Sequence, residues 1–171
     1  MGQVVSQEEL ILYVAGRKRN RRSVVFTNGC FDLLHPGHVR CLEQARALGD
    51  VLVVAINSDV GVHRLKGAGR PILPQGERAE ILAALACVDY VTIFDEPTPH
   101  EIIARVLPDV LVKGGDWGMD EIVGRAEVEA AGGRVISISL EPGYSTSEII
   151  ERIRKSKRVS EAEASNSEPS Q

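Results

Sequence analysis

The sequence predicts a single-domain α/β fold: a doubly wound, Rossmann-like parallel sheet of five strands with helices on both faces. Three observations predict it. Five short β-branched runs are nearly continuous in apolar residues, the pattern of strands covered on both faces. Segments with helical start signals separate them, so strands and helices alternate. The chain has 171 residues, 43% of them hydrophobic, enough for one core of domain size. In such a sheet the crossovers are right-handed, and ligands bind beyond the carboxyl ends of the strands where the strand order reverses.

Residues 1–21 are expected to form an N-terminal helix and a basic connection. Ser6 with Glu9 has the S/T-x-x-E form of a capping box. The run GRKRNRR (16–22) reads as a solvated helix end leading into the first strand. That strand is SVVFTN (23–28), after which Gly29 lets the backbone turn. Pro36 fits the first turn of the next helix, where its missing N–H costs nothing, and Val39, Leu42 and Ala45 are carried towards the sheet. VLVVAIN (51–57) is the second strand. Residues 58–76, SDVGVHRLKGAGRPILPQG, form a long Gly- and Pro-rich connection, the usual sign of a functional loop. A helix with the apolar stripe Ile81, Leu82 and Leu85 leads to YVTIF (90–94). Thr98 with Glu101 predicts a second capping box, with Pro99 in its first turn. DVLVK (109–113) and RVISISL (134–140) complete the sheet, and Ser145 with Glu148 opens the last helix. The domain is expected over 22–155, and the polar, acidic stretch 156–171 as a disordered tail.

Composition excludes several function classes. A net charge of −4 gives no reason to expect nucleic acid or an anionic membrane as partner. Cys30, Cys41 and Cys87 lack C-x-x-C spacing and are odd in number, so they read as reduced thiols. No apolar run reaches membrane-spanning length and no leader pattern opens the chain, which predicts a cytoplasmic location.

The chemistry concentrates in TNGCFDLLHPGHVRCLEQA, residues 27–45. His35 and His38, two of only four histidines, flank Pro36 and Gly37 where a strand gives way to a helix. A helix start has free N–H groups and the positive end of the dipole, a ready phosphate site. Two imidazoles at i and i+3 beside it can donate to phosphate oxygens as charge builds on them, as phosphoryl or nucleotidyl transfer requires. The i,i+4 spacing of an H-E-x-x-H metal pair is absent, and a purely structural pair of capping histidines is the bland alternative.

NGCFDLLHPGH resembles the signature of the H-x-G-H nucleotidyltransferase superfamily. AINSDVGVHRLKG, RPILPQGERAEILAAL, VDYVTIFDEPTP, LPDVLVKGGDW and GYSTSEII follow in order. Together they resemble the sugar-phosphate adenylyltransferases that act on heptose 1-phosphate, over about residues 22–154. The resemblance implies transfer of AMP from ATP to D-glycero-β-D-manno-heptose 1-phosphate, giving ADP-heptose and pyrophosphate for lipopolysaccharide core synthesis. It also implies a stand-alone form without the kinase to which such domains are often fused, and a homo-oligomer, dimer or larger. Mg²⁺ is expected on the ATP phosphates, with no protein side chain as ligand.

By the resemblance His35, His38 and Lys66 are catalytic. Asn28, Gly29, Cys30, Phe31 and Gly37 join the histidines around ATP, with Lys113, Gly114 and Gly115 from KGGDW and Ser145, Thr146 and Ser147 from the last helix start. Asp32, Lys66, Arg78, Asp116 and Trp117 are expected on the sugar phosphate. Asp32 suits a plain turn as well. Arg78 sits at a helix N-terminus, unfavourable for a cation, which asks for an anionic partner: a ligand, Glu77 or Glu80. A cytidylyltransferase acting on glycerol 3-phosphate is the competing enzyme, weakened because LEPGYSTS stands where that group has RTEGISTT and an Arg. A nucleotide sensor binding nucleic acid through GRKRNRR is the competing non-enzyme.

Overall fold

The computed structural model describes residues 1–115, 118–139 and 143–165. Its strands are β1 (Gln3–Val4), β2 (Val24–Gly29), β3 (Val51–Asn57), β4 (Tyr90–Phe94), β5 (Val110–Gly114) and β6 (Arg134–Ile138). Its helices are α1 (Gln7–Arg19), α2 (Pro36–Arg46), α3 (Asp59–Lys66), α4 (Gln75–Ala84), α5 (His100–Val106), α6 (Arg125–Ala130) and α7 (Thr146–Ser165). The strands form one parallel sheet in the order β1-β4-β3-β2-β5-β6. The chain steps outwards from β2 through β3 to β4, then returns to lay β5 on the other side of β2. The order therefore reverses between β2 and β5, and a crevice opens at the carboxyl ends of those two strands.

β3 shows why the expected strands form. All seven of its residues are buried. Val51, Val53 and Ala55 face one core layer, with Leu10 and Val14 of α1 and Ile102 and Ile103 of α5. Leu52, Val54 and Ile56 face the other, with Leu42 and Ala45 of α2 and Leu82 of α4. Successive side chains point to opposite faces, so a strand between two helical layers must be apolar at every position. Each Val, Leu or Ile among them contributes about 1.5–3 kcal/mol of burial.

The five expected strands are present within a residue or two of their ends, and the sheet has a sixth. β1 pairs Gln3 with Tyr90 and Val4 with Val91 along the outer edge of β4. Two residues carry no periodicity, so only the neighbouring strand reveals them. The connection 58–76 is corrected as well. Its first part is α3, capped by the Ser58 hydroxyl, which accepts from the Gly61 N–H at 3.2 Å; the open loop is residues 67–74.

The Ser6–Glu9 capping box forms in full. The Thr98–Glu101 box does not: α5 starts one turn position later, with Pro99 as its cap and no side-chain cap bond. Ser145 accepts from the Glu148 N–H at 3.1 Å. α7 runs to Ser165, past the boundary expected at 156. Ala162, Ala164 and the Glu, Lys and Arg residues of this stretch are good helix formers, and Lys155 pairs with Glu151 at i,i+4. No helix among the described residues is long and apolar enough to cross a membrane.

Candidate active site

The crevice between β2 and β5 is a cleft of about 510 Å³. Its floor is the carboxyl end of the sheet: Asn28 and Gly29 of β2, Asn57 of β3, Lys113 and Gly114 of β5. Cys30, Phe31, Asp32 and His38 form one wall, Lys66 and Arg70 another, and Thr146 and Ser147 a third.

The turn after β2 is strained. Phe31 and Leu33 both have φ of 48°, a left-handed conformation that costs a residue with a side chain on the order of 1–3 kcal/mol. The surroundings hold it there. The Asp32 carboxylate accepts from the N–H groups of Ile72 (2.8 Å) and Leu73 (3.0 Å) and from Arg70 Nε (2.7 Å). Burial alone pushes this carboxyl up; the three hydrogen bonds together outweigh it and hold it below the usual carboxylate range. The Asp32 carbonyl accepts from the Thr146 hydroxyl at 2.7 Å. Asp32 thus ties loop 67–74 and the start of α7 to the histidine turn. Its carboxylate, expected on the sugar phosphate, lines the cleft with both oxygens bonded to the loop, and so holds its neighbours in place.

His35 is the N-cap of α2, its Nδ1 accepting from the His38 N–H at 3.4 Å. The two imidazoles stack at 3.8 Å between centroids, 22° apart. His38 reaches the cleft, while His35 lies behind it against α2. Burial, reinforced by the neighbouring His35 and opposed by Asp32, pushes His38 down to about 4, so its ring is neutral at pH 7. Its Nδ1 is buried without a hydrogen-bond partner among the described residues. Burial also lowers His35, against the pull of Glu148.

The cleft is electropositive. Burial pushes the Cys30 thiol up, and Lys66, Arg78, Arg70 and Lys113 all pull it the other way. Burial lowers the Lys113 ammonium, with Lys66 adding to the effect and Cys30 opposing it. Lys66 ends α3 and is exposed at the cleft rim.

Arg78 is buried and turned away from the cleft. It donates to the Leu73 carbonyl (3.0 Å), the Cys30 carbonyl (2.5 Å) and Asp59 Oδ1 (2.7 Å). The carboxylate that meets Arg78 near the start of α4 is Asp59, rather than Glu77 or Glu80. All three of its nitrogens are engaged, so Arg78 is a pin between α3, α4 and the histidine turn. Gly37 packs under Tyr144 rather than lining the cleft. Gly115 spends its N–H on the Ile138 carbonyl and its carbonyl on the Ser137 hydroxyl. Ser145 caps α7. Asp116 and Trp117 lie outside the described residues.

Sequence reasoning missed Asn57, Arg70, Pro97 to Pro99 and Glu121 to Val123, which also line the cleft. Asn57 ends the most apolar strand, and that position was the available signal. Arg70 lies in the loop already singled out. Glu121 ends a three-residue 3₁₀ turn, Met119–Glu121, which no pattern marks, and Ile122 and Val123 follow it.

A family model for cytidylyltransferase-like proteins matches residues 26–152. Among curated relatives, bifunctional protein HldE of Citrifermentans bemidjiense is 54% identical over 149 residues, covering 86% of this chain and 31% of its own length. That of Syntrophotalea carbinolica is 57% identical over 136 residues, covering 80% and 28%. The chain thus spans less than a third of the length of these relatives. Of solved structures, the lipopolysaccharide core biosynthesis protein of Thermoplasma volcanium GSS1 is similar with a TM-score of 0.58 and 28% identity, over 70% of this chain and 97% of that one. A pantoate-β-alanine ligase of Francisella tularensis, complexed with β,γ-ATP and β-alanine, shares the fold with a TM-score of 0.56 at 12% identity, over 83% and 69%.

Proposed function

Since the chain belongs to the cytidylyltransferase-like family, we propose that it is an adenylyltransferase that transfers AMP from ATP to D-glycero-β-D-manno-heptose 1-phosphate. The observation that carries this reading is the electropositive cleft at the strand switch point, where His38, Lys66, Lys113 and the start of α7 converge. The choice of heptose rests on RLKG, VKGGDW and GYSTS, and on the identity of more than half to the HldE relatives. The product is ADP-heptose, a precursor for lipopolysaccharide core synthesis.

An oxygen of the sugar phosphate attacks the α-phosphorus of ATP. The bond from that phosphorus to the bridging oxygen breaks, and pyrophosphate leaves. The nucleophile is already an anion, so no side chain has to take its proton. The protein's work is to hold two anions together and to stabilise charge on the phosphates. His38, neutral at pH 7, donates through Nε2–H to the reacting phosphate. Lys66 swings in from the rim over the pyrophosphate, and Lys113 neutralises the triphosphate from the floor. Ser147 and the free N–H groups of α7 add donors to the same phosphates.

Mg²⁺ fits this donor set as an ion carried by phosphate and water. The cleft presents Lys66, Arg70 and Lys113; of the two carboxylates among its described lining residues, Asp32 has both oxygens bonded and Glu121 accepts from the Gly118 N–H. Bound there, the ion would neutralise the triphosphate and favour departure of pyrophosphate.

Pyrophosphate release tests the reading, with ATP and CTP crossed against heptose 1-phosphate and glycerol 3-phosphate in the presence of Mg²⁺. Turnover with ATP and the heptose alone is expected. Turnover with CTP and glycerol phosphate would overturn the substrate assignment, and no turnover with any pair would overturn the heptose reading outright.

A further inference from the structure

Tyr144 precedes the cap of α7 and has no part in the chemistry above. Its ring lies nearly parallel to that of His35, at 6.4 Å between centroids and 20°. The Arg40 guanidinium covers the tyrosine at 5.2 Å from its centroid, within cation–π range. Three near-parallel rings thus follow one another, His38 at the cleft, His35 stacked on it and Tyr144 further out and offset, with Arg40 over the tyrosine. Gly37 makes this arrangement possible. A Cβ there would come within 3.0 Å of the Tyr144 Cβ and 3.1 Å of His35 Nδ1. Any larger residue would press on both rings, and one or both would have to give way by a few tenths of an ångström. One residue further on, the Thr146 hydroxyl fixes the same segment to Asp32.

We propose that Tyr144 is a positioning residue for nucleotidyl transfer, whose ring backs His35 and thereby holds His38 at its angle into the cleft. The plane of the His35 imidazole is set by its cap bond, by the faces of its neighbours and by the nearby Glu148 charge. His35 has the Nδ1 cap on one side, His38 on one face and Tyr144 beyond. Removing the outer ring leaves His35 free to tilt, and His38 follows because the two are in contact. The ring's flat face, not the phenol hydroxyl, does this. This role rests on the adenylyltransferase reading for its kinetic consequence but not for its geometry.

The test compares Tyr144→Phe, Tyr144→Leu and the unaltered protein. Tyr144→Phe keeps the face and should keep kcat within about twofold, since the hydroxyl plays no part. Tyr144→Leu keeps bulk and loses the flat π surface; kcat should fall about tenfold or more, as small misplacements of catalytic groups do, with KM for ATP little changed. Imidazole NMR signals supply a readout independent of turnover: the His35 and His38 ring protons should move in Tyr144→Leu and stay in Tyr144→Phe. Equal kinetics in Leu and Phe, or ring signals that ignore the substitution in a folded protein, would overturn the positioning role. If the unaltered protein turns over no sugar phosphate while the ring signals respond as described, the stack stands and the reaction assignment falls.

Discussion

At the scale of single residues, His38 carries two separate consequences. As a donor to charge that develops during transfer, it should matter more to the rate than to binding. His38→Ala is expected to lower kcat by about 100-fold or more, the range for loss of one such donor, while the ATP dissociation constant changes far less. Equal losses in single-turnover rate and in binding titrations would remove it from the reacting phosphate. The second consequence concerns stability. The folded state holds His38 down at about 4, below the ordinary 6.5. Between these values the unfolded chain binds a proton that the folded one refuses, so stability falls as pH drops from about 6.5 towards 4 and is level above. Urea midpoints for the unaltered protein and His38→Gln should converge as pH falls through that window; parallel curves would mean that His38 titrates normally in the fold. Both consequences follow from burial beside a second imidazole, which the spacing H-x-x-H announced and its burial decided.

Between elements, Arg78 is the most consequential side chain away from the cleft. It joins α3 through Asp59, the loop end through Leu73 and the histidine turn through Cys30. The Asp59 side chain is 41% exposed, so solvent screens much of the ion pair. The larger share comes from the two half-buried carbonyls of Leu73 and Cys30, which would lose their donor. Arg78→Ala should destabilise the fold by about 3 kcal/mol, read as a shift in the urea midpoint at pH 7. Arg78→Lys should recover little, because one ammonium cannot reach three divergent acceptors. An unchanged midpoint would show that water satisfies those carbonyls. The sequence marked Arg78 as a cation in the wrong place for the helix dipole. It did not indicate the partner, since Asp59 is nineteen positions away along the chain and meets α4 only once α3 has folded back.

Over the whole molecule, topology separates the two charged features that the sequence placed side by side. The basic run leads into the amino end of β2, and the cleft lies at its carboxyl end. The six residues of β2 span about 20 Å, more than two screening lengths at physiological salt. Reversing the exposed Arg19 and Arg21 to Glu should therefore leave kcat/KM for ATP within about twofold at that ionic strength. A collapse in activity would put the basic run in contact with substrate or with a partner that completes the site.

The sequence by itself determined the parallel α/β layering, because strands buried on both faces must be apolar throughout. It also marked the histidine turn, the lysine loop and the start of the last helix as parts of one site. Only the tertiary structure decided which of those residues face the cleft and which hold others in place. His38 and Lys66 face it; Asp32, Arg78, Gly37 and Gly115 are occupied by partners distant in sequence. The two-residue strand β1 and the lining residues Glu121 to Val123 likewise acquire meaning only from their neighbours. Periodicity records what a residue does for its own element, and the partner of a buried polar group is fixed only when separate elements meet.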